Sequence, residues 1–205
     1  MGDTHCWRFA RLNEIARIFG GGTPSREDSA FWNGDIPWIT PGELTAAPSK
    51  VTASTNDRIT DSGVRFSGAV LLPIGTLLVT TRATLGARTL AGVPMTTNQG
   101  FKNIVFDQRV ADPEFYYHLF ETLTVEMERR ASGTTFAEIS GSQFGKIRVA
   151  VPPLAEQRRI AETFDAIDAD IDTTCSTLSK LALLKRGLIS NLLTGRAQHP
   201  VRGGV

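Results

Sequence analysis

The sequence predicts an α+β protein, in which a mixed, mostly antiparallel, β-rich domain is followed by one long C-terminal α-helix. Three observations carry this expectation. From Trp7 to about Val151, short apolar runs are punctuated by Gly and Pro, the pattern of brief strands joined by turns. At Pro152-Pro153 that pattern stops. Beyond it no Gly or Pro occurs until Gly187, and the apolar residues fall into helical register.

Taken in order, helical periodicity first appears over residues 12–18. Ile36-Pro37-Trp38-Ile39 reads as the entry of a strand carrying a buried tryptophan. Strand signals then follow at 69–72, at 76–81 after the Pro73-Ile74-Gly75 turn, and at 87–90, 101–106 and 146–151. Their β-branched content and turn spacing favour antiparallel pairing. Between the last two lies a helix over Pro113–Arg130, with Phe115, Leu119, Leu123 and Met127 repeating every four residues and Pro113 in its first turn.

The final element is predicted as one helix, Leu154–Leu193. Ile160, Phe164, Ile167, Ile171, Leu178, Leu181, Leu184, Leu188 and Leu192 recur at spacings of three, four or seven, with Thr174 and Cys175 in the gap. Such a helix would be roughly 60 Å long, more than a domain of this size is wide. Its apolar stripe must therefore pack elsewhere, either in a helical hairpin broken near residues 175–177 or in a coiled coil with another chain or domain. The expected organisation is a domain over 1–152, a dimerisation and spacer helix over 153–195, and a frayed tail over 196–205.

Composition excludes several classes. The 205 residues are 41% hydrophobic and 21% charged with 19 Gly and 10 Pro, an ordinary globular balance. No run of 18 apolar residues exists and the amino terminus lacks the apolar stretch of a secretory signal, which points to a cytoplasmic protein without membrane contact. Cys6 and Cys175 have no neighbouring Cys or His at ligand spacing, so neither a disulfide framework nor a structural zinc site is expected. The net charge of +1 gives no general signal for nucleic acid. Locally, however, Arg58, Arg65, Arg82, Arg88 and Lys102 are opposed within their stretch only by Asp61.

No catalytic residue emerges. Asp35-Ile36-Pro37-Trp38 echoes a DNA-methyltransferase tetrapeptide but departs at its second position, and Phe19-Gly20-Gly21-Gly22-Thr23-Pro24 leads into a loop instead of the helix a methyl-donor site requires. His5, His118 and His199 lie at a terminus, in a helix and in a tail, away from any nucleophile. Asp165, Asp168, Asp170 and Asp172 read as a solvated helix face, and no metal site is expected. No phosphate-binding G-x-x-x-x-G-K-[ST] loop occurs, so no cofactor is expected on this chain. What remains are polar loops: 21–25, 80–84, 96–100 and 132–135. Arg suits guanine, Asn and Gln suit adenine, and Thr offers a hydroxyl and a methyl. Asn98 and Gln99 could equally satisfy a turn.

In order, these segments resemble the specificity subunit of type I restriction-modification systems, in a half-length form with a single target recognition domain. The matching pieces are Gly21-Gly22-Thr23-Pro24-Ser25, Trp32-Asn33-Gly34-Asp35-Ile36-Pro37-Trp38-Ile39-Thr40-Pro41-Gly42-Glu43-Leu44 and Thr97-Asn98-Gln99-Gly100-Phe101-Lys102. Ala131-Ser132-Gly133-Thr134-Thr135-Phe136 follows, then Val151-Pro152-Pro153-Leu154-Ala155-Glu156-Gln157-Arg158-Arg159-Ile160-Ala161. Leu184-Lys185-Arg186-Gly187-Leu188 and Leu192-Leu193-Thr194-Gly195 close the series.

The resemblance implies a non-catalytic chain that reads double-stranded DNA and docks adenine methyltransferase subunits, which carry S-adenosylmethionine, and a restriction/translocase subunit, which uses ATP. Family members ordinarily hold two recognition domains and two antiparallel helices, against one of each here. The implied assembly is a homodimer reading a symmetric, interrupted target. Met1 and the Thr194-Gly195 close favour a whole gene product over a fragment. Gly34, Pro37, Trp38 and Gly100 are expected to hold the fold. Arg82 and Thr84, then Thr80 and Arg88, are the expected base readers; Lys50, Arg58, Arg65 and Lys102 are the expected phosphate contacts. The nine apolar residues of the long helix, from Ile160 to Leu192, are the expected dimerisation stripe. A scaffold protein with a ligand-binding domain and no DNA specificity is the alternative.

Overall fold

The computed structural model describes residues 7–82, 84–130 and 139–194. The motif at 131–136 and the tail from 195 onward lie outside them, as do Cys6 and two of the three histidines.

Strand β1 (Arg8–Arg11) runs into a single helical turn, α1 (Leu12–Ile15), and then β2 (Ala16–Gly20). A short 3-10 turn at Ser29–Phe31 precedes β3 (Trp32–Ile39), α2 (Pro41–Ala46), β4 (Val51–Thr52), β5 (Asp57–Ile59) and α3 (Asp61–Arg65). The sheet strands β6 (Leu77–Thr80), β7 (Arg88–Ala91), β8 (Thr96–Thr97) and β9 (Phe101–Phe106) follow. The chain closes with α4 (Pro113–Arg130), α5 (Gly141–Gly145), β10 (Arg148–Val151) and α6 (Leu154–Leu193). The predicted α+β class is found, with α4, β9 and α6 at their expected bounds.

A five-stranded sheet in the order β2-β9-β6-β7-β4 forms the centre, antiparallel except where β4 meets β7. β6 is buried on both faces, so its residues divide between two cores. Leu77 and Val79 join Ile104 and Phe106 against Phe115, Tyr116, Phe120 and Met127 of α4. Leu78 turns the other way, to Phe101, Leu72, Met95, Ile39 and Leu44. Tyr116 is wholly buried, donates its hydroxyl to the Ala150 carbonyl at 3.0 Å, and has its pKa raised by that burial.

Two expectations need correction. Residues 12–18 do not form one helix: the chain leaves the helical turn at Ala16, whose φ of −153° is extended, and Ile18 pairs with Ile104. The ladder to β9 outweighs a weak local periodicity. Residues 69–72 form no strand; only an isolated bridge joins Leu72 to Met95.

A smaller sheet, β5-β3-β8, encloses a third core of Trp38, Ile59 and Ala69. A two-stranded ribbon pairs β1 with β10. The helix α2 begins where the sequence invites it: Thr40 accepts from the Glu43 N–H at 3.3 Å, with Pro41 in the first turn.

The chain divides into two units, one to Ala161 and one from Glu162. The first includes the start of α6, where Ile160 and Ala161 pack against the domain core. Ile160 thus belongs to that core, a correction to its place in the dimerisation stripe. The second unit is the remainder of α6, with its large apolar residues in the open: Phe164, Ile167, Ile171, Leu178, Leu181, Leu184, Leu188 and Leu192 are between 38% and 63% exposed. No helix among the described residues is long and apolar enough to cross a membrane.

Candidate nucleic-acid interface

Three of the motifs, at 21–25, 32–44 and 97–102, meet at one place. Gly21 and Gly22 pass so close to neighbouring backbone that a Cβ on Gly21 would lie 1.9 Å from the Asn98 carbonyl, and one on Gly22 2.1 Å from the Gly68 carbonyl carbon. Only glycine fits both positions. The close approach lets Gly22 N–H donate to the Thr97 carbonyl at 2.9 Å, and Trp38 Nε1 donate to the Gly22 carbonyl at 2.9 Å. Thr23 Oγ1 donates to Gln99 Oε1 at 2.6 Å, while Asn98 Oδ1 accepts from Gly100 N–H at 2.8 Å. Asn98 therefore satisfies a turn, the local role that competed with base contact. Trp38 is 2% exposed, as a residue that holds the fold should be.

Next to this junction, β6 ends in the loop bearing Arg82. Thr80 and Thr81 are buried. Thr80 Oγ1 donates to the Thr84 and Ala87 carbonyls, Thr81 N–H donates to the Gly100 carbonyl at 2.8 Å, and Gly86 N–H donates to the Thr80 carbonyl at 3.0 Å. The loop is pinned from beneath, and Arg82 and Thr84 are left exposed at its crest. A guanidinium and a hydroxyl exposed beside such an anchored strand end have the chemistry to meet a base edge. Thr80 does not share that role: burial commits its hydroxyl to shaping the loop.

Arg88 is likewise committed to the fold. Its guanidinium donates to the Tyr117 carbonyl and to Glu121 Oε2 at 2.8 Å, and it lies 4.9 Å from the centroid of the Tyr117 ring. Lys50 converges on the same helix, paired with Glu114 and 5.7 Å from the Tyr117 ring. These two cations fasten β7 and the loop before β4 to α4, which corrects their expected roles as base reader and phosphate contact. Lys102 is half-buried on β9, opposite Val79 on one side and Gly20 on the other.

Arg58 and Arg65 are exposed on the smaller sheet's lobe. Arg58 Nη2 donates to the Asp35 carbonyl, which holds its side chain across β3. Arg65 lies 5.7 Å from the ring of Phe66, itself 68% exposed and stacked on Phe31. Sequence reading missed Arg26. Its guanidinium sits 3.7 Å from the Trp32 ring and 5.1 Å from the Trp38 ring, and it pairs with Asp57 at 2.6 Å. No local pattern reports such a contact, because Arg26 and Asp57 are joined only by the folding of β3 against β5.

Comparison with known proteins gives a consistent result. A family model described as "Type I restriction modification DNA specificity domain" matches residues 5–182. The MjaIX specificity subunit of Methanocaldococcus jannaschii is 35% identical over 164 residues, covering 79% of this chain and 38% of that protein. The EcoR124I/EcoR124II specificity subunit of Escherichia coli is 30% identical over 164 residues, covering 77% and 40% respectively. The chain thus spans about two fifths of the length of these curated relatives. Among solved structures, the HsdS subunit of Thermoanaerobacter tengcongensis matches 90% of this chain and 44% of that one, with a TM-score of 0.66 and 17% identity. A chain from a structural study of type I R-M complex assembly and conformational transition matches with the same TM-score at 21% identity, covering 90% and 45%.

Proposed function

The chain belongs to the type I restriction-modification DNA specificity family, and from that premise we propose that it is the non-catalytic, DNA-reading component of such a complex. Its recognition domain reads one half of an interrupted target through the Arg82 and Thr84 loop, with Arg58, Arg65 and Lys102 on phosphates. Adenine methyltransferase subunits carrying S-adenosylmethionine, and an ATP-driven restriction subunit, dock on it in the cytoplasm. The observation that carries the DNA-reading part is the pinned Thr80-Thr81 base, which holds two DNA-compatible side chains exposed within a domain of this family.

The second half of the target is read by a second copy of this chain, paired through α6. The support is the exposed apolar stripe: from Phe164 to Leu192 it alternates spacings of four and three, interrupted only by Thr174 and Lys185. A stripe of that length in water is unfavourable unless covered. Charge selects the orientation. Glu162, Asp165, Asp168, Asp170 and Asp172 precede Leu178, whereas Lys180, Lys185 and Arg186 follow it. An antiparallel pair centred near Leu178 sets the acidic half of each helix against the basic half of the other; a parallel pair opposes like charges.

A mobility-shift titration tests the reading. The chain co-purified with its methyltransferase is expected to bind its methylated site at least about a thousandfold more tightly than scrambled duplex. Equal affinity for both would mark the chain as a scaffold.

A further inference from the structure

The ribbon of β1 and β10 carries an unbalanced charge. In its antiparallel register Arg11 stands directly opposite Arg148, and Phe9 opposite Ala150. Opposed residues share a face, so the two arginines lie side by side with Phe9 next to them. Phe9 is 60% exposed, and both arginines are exposed. On the opposite face Ala10 and Val149 are buried in the main core, which fixes the ribbon's backbone. The Arg148 guanidinium lies 5.8 Å from the centroid of the Phe9 ring, a cation–π contact that further orients it.

Like charges directly opposed across a ladder are destabilising unless something neutralises them. Within the described residues, Arg11 and Arg148 form no ion pair, and neither do Arg8 and Lys146, exposed at the ribbon's ends. The nearby Glu14 carboxylate accepts instead from the backbone N–H of Arg11, at 2.8 Å. Among the described residues, then, no carboxylate neutralises this pair, and the face presents a concentrated positive charge to the solvent.

We propose that this face is a second DNA-backbone contact, in which Arg11 and Arg148 together hold phosphate while the Arg82 loop reads bases. Two guanidinium forks carried on Cα atoms about 5 Å apart suit the several oxygens of one phosphate. Each strand of the duplex carries one charge for about every 3.4 Å of helix axis, which leaves a neighbouring phosphate for Lys146. This surface supplies affinity and registration without sequence information. It rests on the DNA-reading function proposed above.

The test is an Arg11→Gln/Arg148→Gln double variant of the full chain, bound to its methyltransferase. It is titrated with duplex carrying the methylated site and with scrambled duplex, across a range of salt. The slope of log affinity against log salt should become shallower by about 1 for both duplexes, as expected for the loss of one phosphate contact, with their affinity ratio unchanged. Arg11→Lys/Arg148→Lys should restore the slope, because the charge is kept. Wild-type slopes and affinities in the Gln variant would overturn the proposal. So would a Gln variant that keeps the slope but no longer assembles with the methyltransferase, which would assign the face to an acidic protein surface. If the unaltered complex shows no site preference, the DNA-reading function fails, while the slope difference still decides the role of the ribbon.

Discussion

Gln157 is wholly buried and its amide is fully used. Nε2 donates to the Val110 and Pro152 carbonyls at 2.9 and 2.8 Å, and Oε1 accepts from Asp112 N–H at 2.8 Å. One side chain thereby joins the start of α6 to the end of β10 and the entry of α4. Gln157→Leu would orphan three backbone groups, each costing about 1–3 kcal/mol. A urea titration should show a loss of at least about 2 kcal/mol. At the loop crest, Arg82→Ala is expected to cost about 1–3 kcal/mol in binding and to relax one target position, read by sequencing methylated sites. If site preference stays unchanged, the reading surface lies elsewhere. These residues differ in how far the sequence disclosed them. Arg82 stood out by residue type, but Thr80 and Arg88 have equally suitable chemistry, and the first is buried while the second is held against α4. Composition of a loop does not report which of its side chains the fold buries. Two of the three partners of Gln157 lie 45 and 47 residues away, beyond any local signal.

Elements were legible where their periodicity was long. The helices α4 and α6 span several turns with one apolar face, and β9 is a long β-branched and aromatic run. Short strands were not: β2 reads locally as helix, and β4 and β8 have two residues each, defined only by their parallel neighbours. For α6, periodicity also carried the expectation of a partner, and cysteine cross-linking can locate it. In a Cys175→Ser background, Leu178→Cys should form an interchain disulfide under mild oxidation. Phe164→Cys should not cross-link to itself, but should do so to a second chain carrying Leu192→Cys. A parallel pair would leave the Leu178→Cys result unchanged but would cross-link Phe164→Cys to its own copy and not to Leu192→Cys, and would also bring Cys175 level with its own copy in the unaltered protein.

At the scale of the molecule, the proposed reading makes one recognition domain and one exposed helical stripe half of a two-copy assembly. Two copies related by a two-fold axis would offer two identical reading loops to one duplex, with the bases between them unread. The most direct measurement is the sequence methylated on DNA when this chain is co-expressed with its methyltransferase. The account predicts methylation at a symmetric target, two inverted identical half-sites separated by a constant number of unspecified bases. Methylation at a bipartite site with two unrelated halves, or at a single uninterrupted site, would contradict it.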